Sequence, residues 1–285
     1  MANPQTYLRP STFDELLAVI GQPGSLVLAG GGLMLGKLDV PYHTIIDLQG
    51  IAELQETEAT TQGFRIGSAV TLSEVAALPN LHPAVHEAIT RVIPLNVRNN
   101  LSVMESFMHP DHPMLSEWLA ALVALDAGTH WLTPQRERQS FRMAELLMHE
   151  EAGSGLPGTL LQLDLRQPAT GNEALGAAHV ARTPADEPLV NATAYVVVDD
   201  DARVELCRVA VGGVDYTGIV LVDLPSLAGQ PFDAPNIASA VKHVAVQIDP
   251  VADWRASADY RREMARICVQ RALEVCLEQF EQRGS

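Results

Sequence analysis

Three glycines in a row, Gly30-Gly31-Gly32, follow the strand-like run Leu26-Val27-Leu28-Ala29. Glycine accepts φ > 0 and has no Cβ, so such a loop can bring successive backbone N–H groups close to a pyrophosphate. The same residues also suffice for a tight strand-to-helix turn, and the residues alone leave both readings open. Further along, Ser102-Val103-Met104-Glu105 has the spacing of a capping box, in which the Ser and Glu side chains satisfy the first N–H groups of a helix. Such a box fills with the chain's own atoms a place where an anion could otherwise bind. His109-Pro110-Asp111-His112-Pro113 offers metal-ligating residue types, but its prolines fix an extended loop and no second Cys or His cluster has ligand spacing, so no metal site is expected. His82 and His86, four apart on a helix face, have no third ligand nearby. Nothing matches a Gly-x-Ser-x-Gly nucleophile, and no catalytic residue is expected.

The elements that position these residues alternate at first between strand and helix. Thr12-Phe13-Asp14-Glu15 opens a short capped helix that stops at Gly21. Strands are expected at 26–29 and 43–48, giving a small α/β unit with a parallel sheet. Phe64–Gly67 reads as a strand and Thr71-Leu72-Ser73-Glu74 as a second capping box. Helices follow at about 82–92 and 115–125, then strands at 129–132 and 159–165. The polar stretch from Arg166 to Glu173, with Pro168 and Gly171, reads as a domain boundary. Beyond it, runs 189–198 and 202–211 form a hairpin around Asp199-Asp200-Asp201, 237–246 is helical, and about 257–282 is a long closing helix.

A chain of 285 residues with 47% hydrophobic and 19% charged residues can bury a sizeable core. No run of about 18 apolar residues occurs, so no membrane span is expected. The 35 acidic residues outnumber 19 Lys and Arg, and the net charge of −16 repels phosphate backbones, which argues against nucleic acid as a partner. Three cysteines, Cys207, Cys268 and Cys276, are too few for a four-thiolate iron–sulfur cluster. The last two lie about 12 Å apart along one helix, too far to bridge. Free thiols and a start without a basic-then-apolar signal pattern suggest the cytoplasm.

In order along the chain, Tyr7-Leu8-Arg9-Pro10, Leu28-Ala29-Gly30-Gly31 with Leu33, Met34 and Leu35, Ile66-Gly67-Ser68-Ala69-Val70-Thr71, Asn96-Val97-Arg98-Asn99 and Ala124-Leu125-Asp126-Ala127 resemble the FAD-binding medium subunit of molybdenum hydroxylases. This is the group that includes carbon monoxide and xanthine dehydrogenases. Leu189-Val190-Asn191-Ala192, Ala210-Val211-Gly212-Gly213 and the ending Arg255-Ala256-Ser257-Ala258-Asp259-Tyr260-Arg261-Arg262 extend the resemblance over nearly the whole chain.

The resemblance implies an α/β plus α+β fold: a two-part PCMH-type FAD-binding region over 1–168 (a small part about 1–58, a larger part about 59–168), then a carbon monoxide dehydrogenase flavoprotein-type α+β domain over 174–285. It implies FAD, held by Leu28, Ala29, Gly30, Gly31, Gly32, Leu33, Met34, Leu35, Gly67, Thr71, Ser102, Ser106 and Glu117. It also implies an iron–sulfur subunit and a molybdopterin-containing large subunit as partners, with neither cluster nor molybdenum in this chain, and an oxidoreductase role relaying electrons through FAD to an acceptor. The second loop departs from the family pattern: Met104 and Glu105 stand where the family has glycines. The segment from Met108 to Glu117 is about two residues longer than that pattern, so a shifted register is also open, with Glu117 near the usual acidic position. The rival expectation is a degenerate member that has lost FAD and acts as a scaffold or assembly subunit. Arg261 and Arg262 could serve a partner, although ion pairs within the chain are the more ordinary outcome.

Overall fold

The structure, a computed structural model, describes residues 5–31, 43–151, 155–168, 171–215 and 218–283. In chain order it contains β1 (Thr6–Leu8), α1 (Phe13–Val19), β2 (Ser25–Leu28), β3 (Thr44–Asp47), β4 (Thr57–Thr60), β5 (Gly63–Gly67), α2 (Leu72–Ala76), α3 (Pro83–Thr90), α4 (Leu95–Arg98), α5 (Val103–Phe107) and α6 (Ser116–Ala124). There follow β6 (Gly128–Leu132), β7 (Arg138–Arg142), α7 (Met143–Glu151), β8 (Thr159–Arg166), β9 (Glu173–Val180), β10 (Val190–Val198), β11 (Val204–Gly212), β12 (Ile219–Val222), α8 (Ala234–Ala240) and α9 (Ala258–Arg283).

These elements gather into two compact units that do not follow chain order. One comprises Met1–Asn80, Ile93–His109 and Asp126–Arg166; the other comprises Leu81–Val92, Pro110–Leu125 and Gln167–Ser285.

In the first unit, β1, β3 and β2 form a parallel sheet in that order, as the alternation of short apolar runs with a capped helix predicts. Thr12 caps α1 through Glu15 N–H, although the Glu15 carboxylate bonds Ser11 and leaves that box half formed. A second, antiparallel sheet runs β4-β5-β8-β6-β7. Along β5, Phe64 and Ile66 are buried on either side of exposed Arg65, and Trp131, Leu160 and Leu163 of the neighbouring strands are buried with them. Thr71 and Glu74 complete a reciprocal capping box at the start of α2, as expected.

In the second unit, an antiparallel sheet runs β12-β11-β10-β9. The β10–β11 hairpin turns at 199–203, where Asp199 Oδ1 accepts the N–H groups of Asp201 and Arg203 and Ala202 adopts φ +57°. Val190, Ala192, Ala194 and Val196 pack with Ala265, Val269, Ala272 and Leu273 of α9 in one core. Cys207, Cys268 and Cys276 are free; burial pushes the Cys207 and Cys268 thiols up to about 12 and raises Cys276 too, which keeps all three in the thiol form near neutral pH.

His82 caps α3 by accepting the Ala84 N–H at Nδ1, 3.2 Å away, which requires a neutral ring. Burial, and then the charge of Arg283, lower its pKa to about 4 from an ordinary 6.5. Above 6.5 the ring is neutral in both folded and unfolded chains. Below it the unfolded chain takes up a proton that the folded one refuses, so stability falls as pH drops from 6.5 towards 4. A His82→Asn variant, which keeps a capping oxygen, is expected to lose about 1–2 kcal/mol less than wild type between pH 7 and 5. Denaturant titrations at the two pH values measure this; equal losses refute it.

Candidate functional site

The glycine loop leaves β2 at Leu28 and turns through Gly30 at φ +154° and Gly31 at φ +92°, backbone states that only glycine adopts freely. A Cβ on Gly30 would lie 2.4 Å from the Asn100 carbonyl oxygen, so the loop presses backbone against backbone on the approach to α5. Gly32, Leu33, Met34 and Leu35 lie outside the described residues.

On the other side of that contact, α5 is fixed from several directions. Thr71 and Ser102 form an antiparallel bridge, and the Val103 and Met104 N–H groups donate to Val70 and Ser68 carbonyls, each at 2.9 Å. Ser102 Oγ accepts the Glu105 N–H, and Ser106 Oγ donates to the Val103 carbonyl. Every residue of α5 is buried. The capping box expected from Ser102 and Glu105 is therefore half formed, because the Glu105 carboxylate turns elsewhere. Glu105, 2% exposed, places Oε2 3.2 Å from Gly31 N and accepts its N–H.

The remaining expected cofactor residues divide between the units. Leu28 and Ala29 are buried beside the loop, Leu28 packing with Leu26, Ile45 and Met108. A Cβ on Gly67 would lie 2.3 Å from Leu54 O, so this glycine admits a close backbone crossing. Thr71 caps α2. Glu117 belongs to the second unit, where Arg91 Nε donates to its Oε2 at 2.9 Å and His179 Nδ1 stands 3.2 Å from its Oε1. Arg91 also donates to the Pro184 and Asp186 carbonyls. Neither Arg91 nor His179 had a local signal; each meets Glu117 only through the fold.

Another constellation escaped motif reading. His130 on β6 meets Ser140 Oγ on β7 at 2.8 Å through Nδ1 and Asp164 Oδ2 on β8 at 2.9 Å through Nε2. These are the residue types of a nucleophile and its base. Asp164, however, also takes Gln162 Nε2 at 2.8 Å and pairs with Arg65, and Ser140 is exposed. The row acts as a cross-strand polar ladder tying β5, β8, β6 and β7 together. No cluster of three or more His, Cys, Asp or Glu poised to hold a metal occurs among the described residues. Nor is any described helix long and apolar enough to cross a membrane.

A parallel α/β part whose glycine loop meets α5, a five-stranded antiparallel sheet, and an α+β unit with a long last helix make up the described chain. Residues 3–162 match the family described as the FAD binding domain in molybdopterin dehydrogenase, and residues 178–275 match the CO dehydrogenase flavoprotein C-terminal domain. The chain therefore belongs to the flavoprotein medium-subunit family of the molybdenum hydroxylases, whose members are subunits of oxidoreductase complexes.

A characterised relative is the 6-hydroxypseudooxynicotine dehydrogenase complex subunit alpha of Paenarthrobacter nicotinovorans, 25% identical over 290 residues and covering 95% of this chain and 96% of that one. Among solved structures, a carbon monoxide dehydrogenase from Hydrogenophaga pseudoflava superposes with a TM-score of 0.82 at 20% identity, covering 98% of this chain and 99% of that one. Quinoline 2-oxidoreductase from Pseudomonas putida 86 gives 0.80 at 21% identity, with 98% and 99% covered.

FAD is the cofactor of this family, and the cradle of this chain does not fit its pyrophosphate. A phosphate on Gly31 would have to share that N–H with the Glu105 carboxylate. At about 4 Å and an effective dielectric near 20, one such repulsion is about 4 kcal/mol, roughly a thousandfold in affinity.

Proposed function

We propose that this chain is the structural medium subunit of a molybdenum hydroxylase-type complex, joining an iron–sulfur subunit to a molybdopterin-containing large subunit in the cytoplasm without carrying FAD itself. The observation that carries this reading is the Glu105 carboxylate on the Gly31 N–H, which meets from within the chain the donor a flavin dinucleotide needs. Family membership over both modules supports a place in such a complex. Arg261 is engaged inside the fold, on the Leu189 and Gly213 carbonyls.

Purification from the native cell under mild conditions is expected to bring down an iron–sulfur protein and a large molybdenum protein with this chain, with no flavin assignable to it. Recovery of the chain alone refutes its place in a complex. Stoichiometric FAD on the chain refutes the structural role in favour of electron relay.

A further inference from the structure

Gly30 and Gly31, the described part of the loop, present a backbone N–H to a negative charge, and that charge is internal. Two successive glycines at φ +154° and +92° bring the Gly31 N–H to an anionic acceptor, and Gly30 is held there against Asn100. A buried carboxylate needs donors, since desolvation of an isolated charge is costly. Glu105 finds one in Gly31. The bonds of Val103 and Met104 and of the Glu105 N–H seat α5 so that the side chain starts from a fixed backbone beside the loop. Carboxylate and phosphate oxygens are interchangeable acceptors for backbone N–H groups, and both make short, charge-assisted bonds.

We infer that Glu105 is the built-in occupant of a diphosphate site: its carboxylate stands in for the pyrophosphate of a dinucleotide, and its removal reopens the cradle to diphosphate anions. The inference rests on the flavin-free reading above and adds to it the residue responsible, the class of anion excluded and the reversibility of the exclusion.

The probe is inorganic pyrophosphate, added to the full-length chain and followed by calorimetry and by melting temperature. Wild type is expected to show neither binding heat nor a raised melting temperature. Glu105→Ala is expected to melt lower than wild type, because the Gly31 N–H loses its acceptor, and pyrophosphate is expected to restore the loss, binding about a hundredfold or more tighter than to wild type. A merely structural role for Glu105 predicts the lower melting temperature without the rescue. Glu105→Gln keeps an acceptor oxygen and removes the charge, so it should fold normally and bind pyrophosphate between the other two.

Folded variants that gain no affinity overturn the inference, while a flavin-free complex would still stand. A wild-type chain that is stabilised by pyrophosphate also overturns it, whatever the variants do. FAD found on the wild-type complex removes the reading on which it rests.

Discussion

Arg261→Met is expected to cost about 3–5 kcal/mol of stability, because it removes one buried charge and strands its partners. Arg261 is 4% exposed; Nη1 donates to the Leu189 carbonyl at 2.6 Å and to the Gly213 carbonyl at 2.8 Å, while Nη2 pairs with Asp253 at 2.9 Å. Gly213, at φ +78°, brings its backbone against Leu189 where a Cβ would sit 2.2 Å from the carbonyl, so the guanidinium stitches two chain segments that only a glycine lets meet. Partial burial alone would raise the Asp253 pKa, but hydrogen bonds from Arg261 and Arg255 outweigh it and hold the carboxyl below the usual range. A carboxyl depressed in this way adds stability above its unfolded pKa of 3.8 and loses it as pH falls. The difference between wild type and Arg261→Met should therefore shrink below about pH 4. Arg261→Lys should recover part of the loss, since an ammonium supplies charge without the planar fork. Denaturant midpoints decide the matter, and a loss under about 1 kcal/mol for Arg261→Met would sink it.

The second large effect is expected at Gly176. A Cβ there would lie 2.1 Å from the Ala272 carbonyl oxygen and 3.0 Å from Cys276 Sγ, both on α9. Because the obstacle is helix backbone, β9 and α9 must separate. Gly176→Ala is expected to cost about 3 kcal/mol, at the upper end for overpacking. Cys276 supplies an independent readout. Its thiol is buried and donates to the Ala194 carbonyl at 3.4 Å, so it should react slowly with a thiol reagent in wild type and much faster once α9 lifts. Unchanged stability and thiol reactivity would show that the crossing tolerates a side chain.

Several elements could be read from the sequence because their causes are local. The capping box at Thr71, the apolar helix 116–124 and the hairpin at Asp199 each declare themselves within a few residues. Strand β9 did not: Ala177, Ala178 and His179 lie on the open edge of the sheet, with no strict apolar alternation, after a polar stretch that reads as a linker. Exposed β4 and β7 were silent for the same reason. The helix expected over 237–246 begins at Ala234, capped by Asp233, and tightens into a 3-10 turn from Val241.

At the site, both loops were visible but their meeting was not. Gly31 and Glu105 are 74 residues apart, and the capping pattern points the carboxylate at its own helix. Only the seating of α5 on Ser68 and Val70 sends it across to the glycines.

Helix α6 lies within the stretch matched as the FAD-binding module, yet it belongs to the second compact unit. Asn191 of β10 donates to its Ser116 Oγ at 2.6 Å, Arg208 of β11 reaches its Ala124 carbonyl, and Gly212 leaves no space for a methyl beside Ser116. The seam between the two matched modules is thus a seam in sequence and not in folding. Recombination at that seam would hand the carboxy-terminal sheet to a new neighbour stripped of the helix that covers it.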